Sequence, residues 1–308
     1  MNNENQTIHK SDDNLTIYGW NEKLNQLKQE SIYSALAHGR VSIVHRTCYE
    51  VISGNGLFQC ELTGNMMYGK SDDELPCTGD WVIFQPFDEH KGIIVDSLPR
   101  ERTLYRKKSG TVADKQAIAS YVDKAFIVQS LDDNFNVRRV ERFMVQIMEE
   151  NISSVLVLNK ADLDFDRQSV EEQIKHISSQ IPVFFTSIHQ LETIVRLRKS
   201  ISEGETVVFV GSSGVGKSSL VNALCEKPVL LTSDISLSTG KGRHTSTRRE
   251  MVLMDSSGVF NRHVRASVNL AWPLTIPILL PKCWKSLTML NCVALKIANI
   301  STNRAVLF

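Results

Sequence analysis

Thr206-Val-Val-Phe-Val-Gly-Ser-Ser-Gly-Val-Gly-Lys-Ser218 is the stretch on which the fold of this chain turns. Its first five residues are apolar or β-branched, as in a buried strand. The last eight spell G-x-x-x-x-G-K-S, and the helical run Ser219-Leu-Val-Asn-Ala-Leu224 follows at once. Strand, glycine-rich turn and helix, in that order, is the context in which this motif cradles phosphates. Its glycines let backbone N–H groups face an anion, and the helix N-terminus adds a favourable dipole. The candidate phosphate-binding residues are Gly211, Ser212, Ser213, Gly214, Val215, Gly216, Lys217, Ser218 and Ser219. Lys217 would reach the β- and γ-phosphates, and the Ser218 hydroxyl would hold Mg²⁺.

Upstream, strands and helices alternate. Lys124–Gln129, Ser154–Leu158 and Ile181–Phe185 read as buried strands, with a helix over Arg138–Glu150. The pattern predicts a doubly wound, mostly parallel sheet. The strand at 154–158 ends in Asn159-Lys160-Ala161-Asp162, an N-K-x-D segment. A carboxylate at Asp162 can accept the hydrogens on guanine N1 and N2, a donor pair adenine lacks. Asn159 either contacts N7 or ties this loop to the phosphate loop, and the stem of Lys160 covers the ring. Thr186-Ser187, closing the next strand, is the candidate supporting loop, although Ile188 stands where an alanine is usual. GTP or GDP is therefore the expected ligand, and an ATP-using enzyme is argued against. The guanine segment precedes the phosphate loop and no second N-K-x-D follows it. One pocket can still be assembled, because a site depends on positions in space; the order is that of a circular permutation.

Before the sheet lies a different pattern. Val41–Val44, Leu57–Leu62, Asp80–Phe84 and Gly92–Val95 are short alternating runs punctuated by Gly54, Gly56, Gly64 and Gly79. Four or five such strands predict a small closed barrel, of the OB type or an SH3-like one. Leu98–Lys108 reads as a basic linker, and the polar first 34 residues carry one helical stretch, about Asn21–Ala35. The expected organisation is an extension over 1–34, an OB-type barrel over 35–100, a circularly permuted α/β P-loop GTPase domain over 101–260, and a tail over 261–308.

Barrel, N-K-A-D, G-S-S-G-V-G-K-S-S and Gly242-Arg-His-Thr-Ser-Thr247, in that order, together resemble the circularly permuted RsgA-type GTPases. Gly79-Asp-Trp-Val82 in the barrel is similar to that family's G-D-W-V. The resemblance implies a GTPase that binds the small ribosomal subunit late in its maturation and is stimulated by it. It also implies a barrel touching ribosomal RNA and a C-terminal zinc-binding segment. It places the first switch at 242–247, where Thr245 or Ser246 would close on Mg²⁺ and His244 would position the attacking water. Lys241, Arg243, Arg248 and Arg249 make that loop basic, so that it either faces RNA or is solvated.

After Phe260 the resemblance stops. Asp255-Ser-Ser-Gly258 matches the D-x-x-G of a second switch in form, but it sits before the strand that should carry it. Cys283 and Cys292 lack the partners of a tetrahedral zinc site, so no zinc ligands are expected in this chain. The last 48 residues hold six basic residues and no Asp or Glu, whereas the first 260 hold 29 basic and 34 acidic ones. Codons read one frame over from Lys282 to Phe308 can spell C-x4-C-x-H-x5-C, a three-cysteine, one-histidine zinc pattern. Codons 261–266 in the remaining frame can spell I-D-T-S-G. The expectation is a frameshifted tail in place of the second switch and zinc segment. The leading function is a ribosome-assembly GTPase; the alternative is a nucleotide-dependent RNA-binding module with little turnover. Six cysteines without a C-x-x-C pair, a polar N-terminus and no apolar run long enough for a membrane span predict a soluble cytoplasmic protein; a monomer is the expected state.

Overall fold

The computed structural model of the protein describes residues 14–71, 73–107, 115–226, 250–254 and 258–262. The expected N-terminal helix is α1 (Glu22–Glu30), started by the Asn21 side chain, which accepts from Leu24 N at 3.1 Å. Five strands then close on themselves: β1 (Ala37–Val44), β2 (Tyr49–Ser53), β3 (Gly56–Leu62), β4 (Trp81–Asp88) and β5 (Lys91–Ser97). They pair in the order β1-β2-β3-β5-β4 and back to β1, with β3 and β5 parallel and the rest antiparallel. A short helix, α2 (Gly64–Gly69), links β3 to β4. This is the OB-type barrel, so the SH3-like reading is set aside. Val41, Val51, Phe58, Cys60, Val82, Phe84 and Ile94 fill the barrel. Gly92 is required there, because a Cβ would lie 2.7 Å from the Phe84 ring.

The G-D-W-V segment has a structural explanation. Gly79 takes φ 97°, a turn conformation that glycine adopts without strain. It delivers Asp80 inward, where the carboxylate is fully buried, accepts Cys77 N at 2.7 Å, and meets Arg100 Nη2 at 2.7 Å. Arg100 also donates to the carbonyls of Asp73 and Leu75. Trp81 packs outward beneath α1 with Trp20, at 4.9 Å between ring centroids, while Val82 packs inward. Removing one partner of a buried pair strands the other charge, at a cost of about 3–5 kcal/mol. Asp80→Ala is therefore expected to lower the melting temperature by on the order of 10 °C in a domain of this size, measured by calorimetry; an unchanged melting temperature would contradict the clamp.

The expected linker is partly a hairpin. β6 (Leu104–Lys107) pairs antiparallel with β7 (Lys115–Ala119), and composition hid this because charged residues dominate the first strand. β8 (Lys124–Ser130), α3 (Val137–Glu149), β9 (Ser153–Asn159), α4 (Arg167–Ser178), β10 (Val183–Thr186), α5 (Leu191–Lys199), β11 (Thr206–Val210) and α6 (Lys217–Cys225) follow. β12 (Glu250–Met254) and β13 (Gly258–Arg262) complete the sheet in the order β10-β9-β8-β11-β13-β12. The strands from β10 to β13 run parallel; β12 is antiparallel to β13. Phe126, Val128, Val155, Val157, Val207 and Phe209 are buried in one cluster with α5 and α6, and the alternate residues Ile127, Leu156, Leu158 and Val208 are buried too, which is why these strands read as continuous apolar runs. Val140, Phe143, Met144 and Ile147 form the buried stripe of α3. At the far edge Glu250 of β12 pairs with Ile43 of β1, so the barrel and the α/β sheet are one hydrogen-bonded surface.

Candidate nucleotide site

Register brings the separate motifs to one end of the sheet. Ser130 of β8, Asn159 of β9 and Thr186 of β10 are aligned, so three strands end level. β11 ends earlier, with Val210 opposite Ile127. The chain after Val210 must therefore climb past the ends of its neighbours, and the phosphate loop does so. Gly211 takes φ 149°, and a Cβ there would lie 2.3 Å from the Val128 carbonyl oxygen. Gly216 takes φ 91°, and its missing Cβ would lie 2.3 Å from Asn159 Nδ2. Both glycines exist because a backbone passes where no side chain fits. The crevice outside the carboxyl ends of such strands is where doubly wound sheets bind ligands.

Asn159 joins the two loops. Its buried side chain donates to the Val215 carbonyl at 2.8 Å and accepts from Thr186 Oγ1 at 3.2 Å. Of the two sequence readings for Asn159, the geometry gives the tie to the phosphate loop. Ala161 N donates to the Thr186 carbonyl at 3.0 Å, which holds the N-K-x-D turn against the end of β10. Lys160 sits at φ 64° and its ammonium contacts Asp132 Oδ2 at 2.8 Å. Asp162 is exposed. The neighbouring Ser187 hydroxyl holds its carboxyl below the usual carboxylate range, with His189 and Lys160 adding to the effect against a small opposing burial. It is thus an ionised acceptor at the mouth of the crevice. Ser187 is fully buried and bonded to Thr193 and His189 N, a supporting position beneath the loop.

In the phosphate loop, Ser213 and Gly214 are exposed, Val215 is buried, and Ser218 and Ser219 are half-buried in the first turn of α6. Lys217 is buried, and its ammonium donates to the carbonyls of Gly211 at 2.9 Å and Ser212 at 2.6 Å. The donor set fits a nucleotide phosphate with Mg²⁺: open backbone at the cradle, a lysine at its base and a hydroxyl one residue on. His244, Thr245 and Ser246 lie outside the described residues, as do Asp255, Ser256, Ser257, Cys283 and Cys292. Gly258 opens β13 level with the start of β11, the end of the sheet away from the phosphate loop. Among the described residues no cluster of three His, Cys, Asp or Glu could hold a metal, and no helix is long and apolar enough to cross a membrane.

Three residues of this site carry no motif. Ser130 Oγ donates to Asp132 Oδ1 at 2.7 Å, and Arg139 Nη1 donates to Ser212 Oγ at 3.1 Å. Lys160, Ser130 and the Asn134 amide together hold the Asp132 carboxyl down at about 2, against the opposing effect of burial. The available signal was positional: a carboxylate two residues beyond a strand that lies next to the phosphate-loop strand.

Residues 97–261 match the RsgA GTPase family. The small ribosomal subunit biogenesis GTPase RsgA 1 of Bacteroides thetaiotaomicron is 71% identical over 259 residues, 84% of this chain and 71% of that protein. The small ribosomal subunit biogenesis GTPase RsgA of Methanosarcina acetivorans is 35% identical over 269 residues, again 84% of this chain and 71% of the relative. Among solved structures, YjeQ from Thermotoga maritima shares the fold at a TM-score of 0.55 and 23% identity, over 73% of each chain. YloQ, described as a circularly permuted GTPase, shares it at 0.51 and 20% identity, over 76% of this chain and 73% of that one.

Proposed function

We propose that this chain, which belongs to the RsgA GTPase family, binds and hydrolyses GTP in late maturation of the small ribosomal subunit, and that the subunit stimulates the hydrolysis. The observation that carries the reading is the Asn159–Val215 hydrogen bond, which fastens a guanine-reading loop to a phosphate loop that follows it in sequence. The ribosomal part of the reading draws on the relatives, which are named for small-subunit biogenesis.

In this reading Asp162 accepts from guanine N1 and N2, the Lys160 stem lies against the ring, and the backbone of 211–217 and the Lys217 ammonium hold the phosphates. Ser218, with Thr245 or Ser246, would hold Mg²⁺, which when bound offsets charge on the β- and γ-phosphate oxygens. His244 positions the attacking water, and the barrel with the basic loop Lys241–Arg249 meets ribosomal RNA. The alternative, an RNA-binding module with little turnover, is not favoured by relatives named as GTPases.

The tail keeps its reading as frameshifted sequence, since the family match ends at residue 261 and no Asp or Glu follows Asp255. The aspartate of the alternative-frame I-D-T-S-G straddles codons 262 and 263, directly after a strand that runs toward the phosphate-loop end. The test is GTP turnover with and without small subunits, for the chain as written and for a frame-restored version. Stimulation by the subunit, larger in the restored protein, is expected, together with about one zinc per restored chain. Equal turnover with and without subunits in both forms would favour the binding module instead.

A further inference from the structure

The segment from Ser130 to Arg139 belongs to neither nucleotide motif, yet it touches both. Asp132 Oδ2 receives the Lys160 ammonium at 2.8 Å. Its other oxygen, Oδ1, accepts Ser130 Oγ at 2.7 Å and Asn134 N at 3.0 Å. The carbonyl of that same Asn134 accepts Arg139 Nη1 at 3.3 Å, and Nη1 also reaches Ser212 Oγ at 3.1 Å. The Ser212 carbonyl in turn accepts the Lys217 ammonium at 2.6 Å. One chain of hydrogen bonds thus runs from the lysine of the guanine loop to the lysine of the phosphate loop, through a turn and the first turn of α3.

Local structure makes this chain rigid. Leu131 N donates to the Asn159 carbonyl at 2.9 Å, which continues the β8–β9 ladder past the end of β8. Asp132 closes a turn on itself through Phe135 N to its carbonyl at 2.9 Å. Asn136 caps α3 by accepting Arg139 N at 3.2 Å, which fixes the backbone from which the Arg139 side chain starts. Val140, Phe143 and Met144 of α3 are buried, so the helix does not slide. A long cationic side chain directed across the surface of a loop is costly in entropy unless its root is held. Here it is held.

We propose that Asp132 and Arg139 are positioning residues of the nucleotide site. Asp132 draws Lys160 into the posture in which its stem covers the guanine ring, and Arg139 fixes the second residue of the phosphate loop, whose carbonyl accepts the Lys217 ammonium. The inference rests on the nucleotide-site reading above and deepens it, because it assigns the relative placement of the base and phosphate subsites to a segment outside the motifs. Neither residue meets the edge of the base, so neither sets which purine is read.

The test is equilibrium binding of fluorescent GDP and of IDP to the full chain and its variants. Asp132→Ala is expected to raise both dissociation constants about tenfold, the low end for a lost charge-assisted hydrogen bond, and to leave the GDP-to-IDP ratio unchanged. Lys160→Ala should do the same, and the double variant should be no worse than Lys160→Ala alone. Arg139→Ala, Ser212→Ala and their double variant should likewise give one shared loss. Asp132→Asn, nearly isosteric, repeats the first arm if the alanine variant fails to fold. Losses that add independently, an altered GDP-to-IDP ratio, or unchanged dissociation constants in Asp132→Asn and Arg139→Ala would overturn the proposal. Failure of the underlying reading looks different, as absence of GDP binding by the unmodified chain, and would overturn both.

Discussion

Lys217→Ala is expected to abolish detectable GTP and GDP binding while leaving the barrel folded. The ammonium is buried at the root of α6 and held by two carbonyls of its own loop, Gly211 and Ser212. That arrangement keeps a cation beside the backbone N–H groups of the loop, which add positive poles of their own toward a triphosphate. Truncating one partner of a desolvated charge contact costs about 2–5 kcal/mol, a loss of roughly 30-fold to several thousand-fold in affinity. The variant also leaves two carbonyls with fewer partners, so some loss of stability in the α/β domain should accompany it. The barrel core of Val41, Phe58, Val82, Phe84 and Ile94 is separate and should be untouched. Calorimetric titration with GDP, together with tryptophan fluorescence for Trp20 and Trp81, checks both halves. Ordinary GTP binding or turnover in this variant would refute the phosphate-loop role.

Asp162→Asn should turn the base preference from guanine toward xanthine. The exposed carboxylate is ionised well below neutral pH through Ser187, His189 and Lys160, and offers acceptors only. An amide keeps one acceptor but presents an N–H₂ to the 2-amino group of guanine, donor against donor. Xanthine carries an oxygen there. Sites built to hydrogen-bond a polar edge discriminate by about 10⁴–10⁵ when the pairing is lost, and an exposed carboxylate should fall toward the lower side of that range. The contribution of Asp162 to wild-type affinity should persist at neutral and mildly acidic pH and be lost as pH falls through the depressed carboxyl value, below the ordinary value of about 3.9. Competition of XTP and GTP for the variant is the check. Unchanged GTP affinity would contradict the assignment of the base pocket.

Much of this is legible in the sequence. Strands buried on both faces wrote themselves as apolar runs, so β8, β9 and β11 were read almost to the residue. β2 was missed because Tyr49-Glu-Val-Ile-Ser53 alternates over only five residues and starts beside Cys48 and Thr47 rather than at a turn signal. The hairpin β6–β7 was missed because its first strand is Leu-Tyr-Arg-Lys, whose charges speak of solvent and not of pairing. The guanine and phosphate motifs were found because their chemistry demands fixed residue types at fixed spacing. Asp132 and Arg139 were not, since a positioning residue needs only to reach its partner, and reach is a property of the folded register. The sequence leaves two readings for Asn159; the observed hydrogen bond is the tie to the Val215 carbonyl, made possible by the alignment of β9 with β8 and the short β11. Asp80 in G-D-W-V shows the reverse case: a recognisable segment whose observed work is a buried ion pair with Arg100.

The central claim is that a guanine loop preceding the phosphate loop in sequence builds one guanine-specific site with it. The most direct measurement is displacement of fluorescent GDP from the purified chain by GTP and by ATP. One site per chain is predicted, emptied by GTP at about 100-fold excess and left filled by ATP at the same excess. Displacement by ATP as readily as by GTP, or no GDP bound at all, would contradict it.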